Sequence, residues 1–441
     1  MAIHYVVKHR VVIIYAVTLF GQLRATKCVT QSHDDDGLHD LLSECLTITY
    51  NAIDYGRKNG IDNRKRMIDF YRSLRDIILP SIYKISAITR ACAVLKSRKK
   101  SEKRGLVARH RKPLRPMICI ITGFFITMKG RLFVRLGREK YFNIQLNRHV
   151  HRILAGRKVR SLTITLYSLS FCFSEEIEPI PVKGVFGVDR NEKNLTFGNE
   201  GTVMQIDLSE TVKIRQRTRE ILRSFRRNDV RVSRKLASKY WKRASHRTNQ
   251  MLHAATNFVV ENAARNSVAF ALEDLTDIRK MYGKGHGQGP DYRFRLNSWP
   301  HGRAWQMLEY KAAWRGVATI PLTKSETYGS STVHSACGEK LHRPEKGDVV
   351  HRRMLWCPTC KVWMDRDVNA TIILSKRGLA RFASSHLQAR SRSQQALEAG
   401  EKGLASEAMK GNPTQTVILR VDASKLTHHP TVSTDRRLLK G

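Results

Sequence analysis

Residues 334–374 read HSACGEKLHRPEKGDVVHRRMLWCPTCKVWMDRDVNATIIL. Two ligand pairs, His334-x2-Cys337 and Cys357-x2-Cys360, stand nineteen residues apart. Each pair sets two soft side chains one tight turn apart, the spacing with which two knuckles close a tetrahedral site around Zn²⁺. Gly338 after the first pair and Pro358 inside the second suit tight turns that aim backbone N–H groups at thiolates. His342 and His351 lie between the knuckles and are alternative fourth ligands. Four protein ligands leave no open position for water, so the predicted metal is structural. Immediately after the second knuckle come Asp365 and Asp367, at the start of the predicted helix DVNATIILSKRGLARF.

Working outward, the chain of 441 residues is long enough for two or three domains with real cores. Seventy-nine Lys and Arg face thirty-eight Asp and Glu, a formal net charge of +41. Such a field attracts a polyanion and holds it through counterion release, so nucleic acid is the expected partner and a membrane surface the weaker alternative. The apolar run at 11–20 follows basic residues as in a signal peptide, but it is too short to span a bilayer. Its Val, Ile, Tyr and Thr content predicts a strand. A soluble chain with no membrane partner, in the cytoplasm beside the nucleoid, is the corresponding expectation. Cys28, Cys45, Cys92, Cys119 and Cys172 are scattered among apolar residues and read as buried thiols of a reducing compartment.

The first part of the chain, 1–180, reads as a β-rich domain with a helical insertion at about 31–112. Leu38, Leu41, Leu42, Cys45 and Leu46 recur at helical spacing behind three acids that suit a helix N-terminus. A second helical stretch is predicted over 62–95, then a basic connector, then β patterning over 117–173 with a hairpin around Lys129-Gly130. From 181 the pattern changes to an α/β one. VKGVFGVD is a short apolar strand ending in Asp189, and NLTFG and TVMQIDL are its predicted partners. Ser209 is the expected cap of a basic helix with Ile214, Ile221, Leu222 and Phe225 on one face. A second basic helix over 232–264 carries Met251, Leu252, Ala255, Phe258 and Val259 as a stripe. The dense Arg and Lys of both helices suit a phosphate-backbone contact face as well as a solvated surface. SVAFALEDL delivers Glu273 at a strand end, and GKGHGQGP reads as a loop, because it does not lead from a strand into a phosphate-binding helix. Residues 303–315 are helical, GVATIPL is a strand, and 384–441 read as a flexible tail.

Asp189, Glu273 and Asp367 each fall at the end of a strand or the start of a helix. Three acids delivered to one spot on a sheet are able to hold two divalent cations for phosphodiester hydrolysis. The blocks GVFGVDRNEKNLTFG, FALEDLTDIR, WPHGRAWQMLEYKAAWRGV, HSACG, CPTC and DRDVNATIIL resemble, in order, the signature blocks of the TnpB/OrfB transposon-associated nucleases, relatives of the type V CRISPR effectors often called transposases. The resemblance covers most of 183–375 and extends more loosely to LLSECLTITYNAIDYG near the N-terminus.

What the resemblance implies is a RuvC-like, RNase H-type nuclease domain at 181–383 with an inserted zinc ribbon at about 328–363, preceded by the β-rich nucleic-acid-binding domain. It also implies a guide RNA from the transposon end, a double-stranded DNA target, and two catalytic Mg²⁺ or Mn²⁺ on Asp189, Glu273 and Asp367. The zinc ligands would be His334, Cys337, Cys357 and Cys360. Asp365 is a neighbour with no assigned role. Two positions depart from the family pattern: Arg190 stands where many members have Gly after the first acid, and His334 where many have Cys. An RNA-guided DNA endonuclease is the leading expectation. The alternatives are a non-cutting RNA-guided DNA-binding regulator, which intact acids disfavour, and a DNA transposase performing strand transfer, which needs no guide.

Overall fold

The computed structural model describes residues 23–34, 36–103, 105, 114–137, 140–225, 229–275, 278, 287, 289–345, 348, 353–394 and 417–426. The strand expected at 11–20, His351 and most of the GKGHGQGP segment lie outside these residues. No helix among the described residues is long and apolar enough to cross a membrane. The fold is α/β, in two units, one spanning Arg24–Glu176 and the other containing Ile177–Gly441.

In the first unit the order is β1 (Leu23–Ser32), α1 (His39–Lys58), α2 (Ile68–Ser73), α3 (Ser81–Glu102), β2 (Met117–Ile120), β3 (Phe124–Ile126), β4 (Arg131–Arg135), β5 (Tyr141–Gln145), α4 (Arg148–Leu154), β6 (Val159–Thr165) and β7 (Ser168–Ile177). Alternating burial along β6 and β7 puts Leu162, Ile164, Leu169, Phe171 and Phe173 on the core side of a four-stranded sheet ordered β1-β7-β6-β2. A second, three-stranded sheet is ordered β3-β4-β5, with Gly130 at φ +74° in the turn between β3 and β4. Helices α1 and α3 pack Leu41, Leu42, Cys45 and Ile48 with Tyr83, Ala87 and Ile88 into a buried seam. The helix expected over 62–95 is broken. Asn63 caps a 3-10 turn by accepting from Lys65 N at 3.0 Å, α2 ends at Ser73, and Pro80, itself extended, precedes the first residue of α3. The uniform burial expected of the five lone cysteines holds only for Cys45 and Cys92. Cys28 and Cys119 are exposed, since they take the outward positions of alternating strands, and Cys172 is half-buried.

The second unit runs β8 (Gly184–Arg190), β9 (Asn194–Gly198), β10 (Thr202–Asp207), α5 (Ser209–Ser224), α6 (Ala237–Arg265), β11 (Val268–Glu273), α7 (Pro290–Ser298), α8 (His301–Trp314), β12 (Thr319–Leu322), α9 (Lys324–Thr327), β13 (Met354–Cys357), β14 (Val362–Asp365), α10 (Arg366–Gln394), β15 (Val417–Asp422) and α11 (Ala423–Leu426). Its six-stranded sheet is ordered β12-β11-β8-β9-β10-β15. β8, β9 and β10 form an antiparallel meander, whereas β11 lies parallel to β8 and β12 parallel to β11. One face carries Val188, Phe197, Phe270 and Leu272 against α5, α6 and α8; the other carries Val185, Ala269 and Ala271 against α10.

Three expectations are corrected in this unit. Ser209 is the first helical residue rather than the cap: the Asp207 carboxylate accepts from Ser209 N at 2.8 Å and from its hydroxyl at 2.9 Å. The buried stripe of α5 is Thr211, Ile214 and Thr218, because both threonine hydroxyls donate to carbonyls one turn back, and Ile221 is exposed. The segment after 384 is also not uniformly irregular, since α10 continues to Gln394 and Val417–Asp422 pairs in parallel with β10 at the sheet edge. That strand, VILRVD, is only six residues long, and only long-range pairing gives it a partner.

Helix α10 lies unusually close to β8. A Cβ on Gly187 would collide with the Thr371 carbonyl oxygen and stand 2.7 Å from Ser375 N, and one on Gly378 would stand 3.0 Å from Val185 Cγ1. Gly187→Ala is therefore expected to cost about 3 kcal/mol, the upper end for overpacking. Gly302→Ala, whose Cβ would meet nothing within 4 Å, should be neutral or stabilising. Urea unfolding midpoints of the two variants check this contrast.

Candidate active site and metal centre

Residues two apart on a strand share a face, so Asp189 follows Val185 and Gly187 onto the side of β8 that meets α10. Parallel pairing sets Leu272 of β11 beside Val188, which brings Glu273 to the same end of the sheet. Asp365 ends β14 and accepts from Asp367 N at 2.9 Å and Val368 N at 3.2 Å, the pattern of a helix N-cap. Asp367 is thus held in the first turn of α10, 1 % exposed. The contact of α10 with β8 then carries it towards Asp189.

Asn191 Nδ2 donates to Asp189 Oδ2 at 2.7 Å, and Asn194 Nδ2 donates to Asp367 Oδ2 at 2.8 Å. Arg353 donates to the same Asp367 oxygen, and Arg366 Nε stands 3.7 Å from Asp367 Oδ1. Burial, then the negative charges of Asp367 and Glu273, push Asp189 up to about 7. Burial also raises Glu273, against the nearby Arg190 charge. Asp189 and Glu273 open onto a cavity of about 820 Å³ whose rim includes Asn191, Arg295, Arg353 and Arg366. Because the folded-state value of Asp189 lies above its usual 3.8, folding favours its protonated form. That contribution to stability is present in acid and is lost as the pH rises through about 7. A bound divalent cation would remove this cost, and hard carboxylate oxygens suit Mg²⁺ or Mn²⁺.

Arg190 points to the opposite side of β8 from the acids. Its guanidinium donates to the Glu273 carbonyl and, at 3.1 Å, to the His301 carbonyl, and it lies 4.7 Å from the Trp305 ring centre. The residue that departs from the family pattern is a buried strut between β8, β11 and α8.

The two knuckles converge. His334, Cys337, Cys357 and Cys360 place one ligand atom each within 4.8 Å of one another, the one such group among the described residues. His334 Nδ1 is 3.2 Å from Cys337 Sγ, which is 3.5 Å from Cys357 Sγ. Sulfurs on a tetrahedral Zn²⁺ with bonds of about 2.3 Å stand about 3.8 Å apart, so the donor set fits that ion. Both knuckles turn back alike, with Gly338 N donating to His334 O and Lys361 N to Cys357 O, each at 2.9 Å. Gly338 and Lys361 take the left-handed conformation there, at φ +78° and +55°. His342 is outside the group; it pairs through its backbone with Trp356. Buried Asn369 accepts from Ser335 N at 2.8 Å and donates to Val333 O at 2.6 Å, tying the first knuckle to α10 two residues after Asp367. The β13–β14 hairpin ties the second knuckle to the same helix.

A family model described as Cas12f1-like, TNB domain, matches residues 301–374, which hold α8, both knuckles and Asp367. TnpB-like protein MJ0751 of Methanocaldococcus jannaschii is 28 % identical over 229 residues, 50 % of this chain and 78 % of that protein. These matches make the chain similar to TnpB-like and Cas12f1-like proteins. A solved structure described as the Cryo-EM structure of the Cas12f1-sgRNA-target DNA complex is similar at a TM-score of 0.49 and 12 % identity, covering 77 % of this chain and 82 % of that one. Asn191, Asn194, Arg190, Arg353 and Arg366 contact the candidate acids or the backbone that presents them, and the sequence alone assigns them no role there. Only Asp365 carried a local signal, an acid directly before a helix.

The purified chain is expected to carry one zinc ion by elemental analysis. Cys357→Ser should release it and lower the melting temperature, since metal binding and local folding are coupled. Full zinc retention in that variant would refute the ligand set.

Proposed function

We propose that this chain is an RNA-guided DNA endonuclease of the TnpB family, encoded by a transposable element, with a RuvC-like, RNase H-type domain that hydrolyses phosphodiesters. The observation that carries the proposal is that Asp367 and Glu273, from two other elements, both act electrostatically on buried Asp189, and that Asp189 and Glu273 line one cavity at the end of the six-stranded sheet. The sheet itself, an antiparallel meander extended by parallel strands at both edges, agrees with an RNase H-type reading. The excess of basic residues suits a guide RNA from the transposon end and a double-stranded DNA target, both held largely through phosphates.

Two Mg²⁺ or Mn²⁺ ions on these carboxylates would supply an activated water and stabilisation of the leaving oxygen. The chain's own part is positional. Asn191 and Asn194 orient the two aspartates, Arg190 fixes the backbone that presents Glu273, and Arg353 balances the buried charge of Asp367. The zinc knuckles hold the start of α10, and with it Asp367.

The test is cleavage of a matching duplex by the chain reconstituted with its own RNA in Mg²⁺. Asp189→Ala, Glu273→Ala and Asp367→Ala should each reduce cleavage to background while RNA binding persists. Asp365→Ala removes a helix cap, a loss of about 1 kcal/mol, and should retain cleavage. A parent protein that binds RNA and target without cutting would replace this reading with the non-cutting regulator.

A further inference from the structure

The three-stranded sheet of the first unit has its polarity inverted on one side. Leu132, Val134 and Phe142 are buried on one face. The other face displays Phe125, Phe133 and Tyr141, of which Phe125 is 51 % and Tyr141 43 % exposed. Register places Phe125, Phe133 and Asn143 side by side across the three strands, with Arg131 and Arg135–Tyr141 on the flanking rows. The rings are ordered: Phe125 stacks on Phe133 at 4.9 Å between centroids and 7° between planes, and meets Tyr141 edge-on at 6.1 Å and 70°. An outward sheet face normally carries polar side chains. This one exposes ring surface to water between two arginines.

We propose that this face is a stacking platform for unpaired bases of single-stranded RNA. Every base has a π-face, so aromatic rings on an open sheet bind single strands with little sequence preference, and flanking arginines take the phosphates. Arg131 and Arg135 are exposed on the aromatic face, and the described residues of 124–145 contain no acid to oppose a polyanion. Arg131 is lightly held, by Asn143 Oδ1 at 3.4 Å, and Arg135 by the Gly137 carbonyl at 3.0 Å, so both are available for a phosphate. The bland alternative is cross-strand aromatic pairing that only stabilises the sheet. It accounts for the stacked pair, but not for ring surface left exposed beside two exposed arginines. A protein partner for the same patch is the competing occupant, which the basic rim disfavours.

The identity of the strand as RNA rests on the proposed function; the base-stacking chemistry does not. The experiment compares binding of the full chain, without DNA or divalent cation, to a mixed-sequence single-stranded RNA and to one of equal length and charge made largely of abasic sites. The parent should bind the intact strand roughly tenfold or more tightly, as expected when bases stack on aromatic side chains. Phe125→Leu, which keeps apolar area and removes the ring, should erase most of that difference with little change in melting temperature, and Phe125→Trp should restore it. Arg131→Ala should weaken both strands alike and lower the salt slope by about one. Equal affinity of the parent for intact and abasic strands, or an undiminished preference in Phe125→Leu, overturns the platform and leaves the endonuclease reading intact. No binding to either strand overturns both.

Discussion

The second unit depends on the contact between α10 and β8. A helix comes this near a strand only where no side chain intervenes, and Gly187 and Gly378 clear the space from the two sides. The contact is what turns one-dimensional order into a site. Asp189 lies two residues beyond Gly187 on β8, and Asp367 lies one turn before Thr371, whose carbonyl touches Gly187. Move the helix outwards by the width of a methyl group and the two carboxylates part.

Several features hold that helix in place. Its N-terminus is capped by Asp365, its second and third turns contribute the core residues Ile372 and Leu374, and Ser375 Oγ donates to the Val185 carbonyl at 2.6 Å. The His/Cys knuckles add a brace through the Asn369 hydrogen bonds and the β13–β14 hairpin. On the far side of the sheet Arg190 locks β8 to β11. The result is an acid pair that folding holds against its own repulsion, the situation in which a divalent cation binds with the most to gain.

Legibility in the sequence tracked the range of the interactions. The knuckles were readable because their ligands are three residues apart and the turn chemistry is local. The apolar strands 184–190 and 268–273 were readable from composition, and the acids at their ends stood out once the ordered blocks resembled a family. What decides the site beyond that is long-range. Asn194 pairs with an aspartate 173 residues away, and Arg353 is one of seventy-nine basic residues with nothing local to distinguish it. Gly187 looks like any strand glycine until the helix that needs it is in place. The strand at 417–422 is short, and its pairing with β10 spans more than two hundred residues. Conversely, the helical pattern over 62–95 hid the break at Pro80 because the apolar spacing continues across it.

Binding of Mn²⁺ followed by electron paramagnetic resonance, as a function of pH, tests most directly whether this contact builds a cation site. The account predicts uptake by the parent well above pH 7 that declines as Asp189 takes up its proton near that value, and strongly reduced uptake in Asp189→Asn at any pH. Uptake that is the same in parent and variant, or independent of pH across that range, would contradict it.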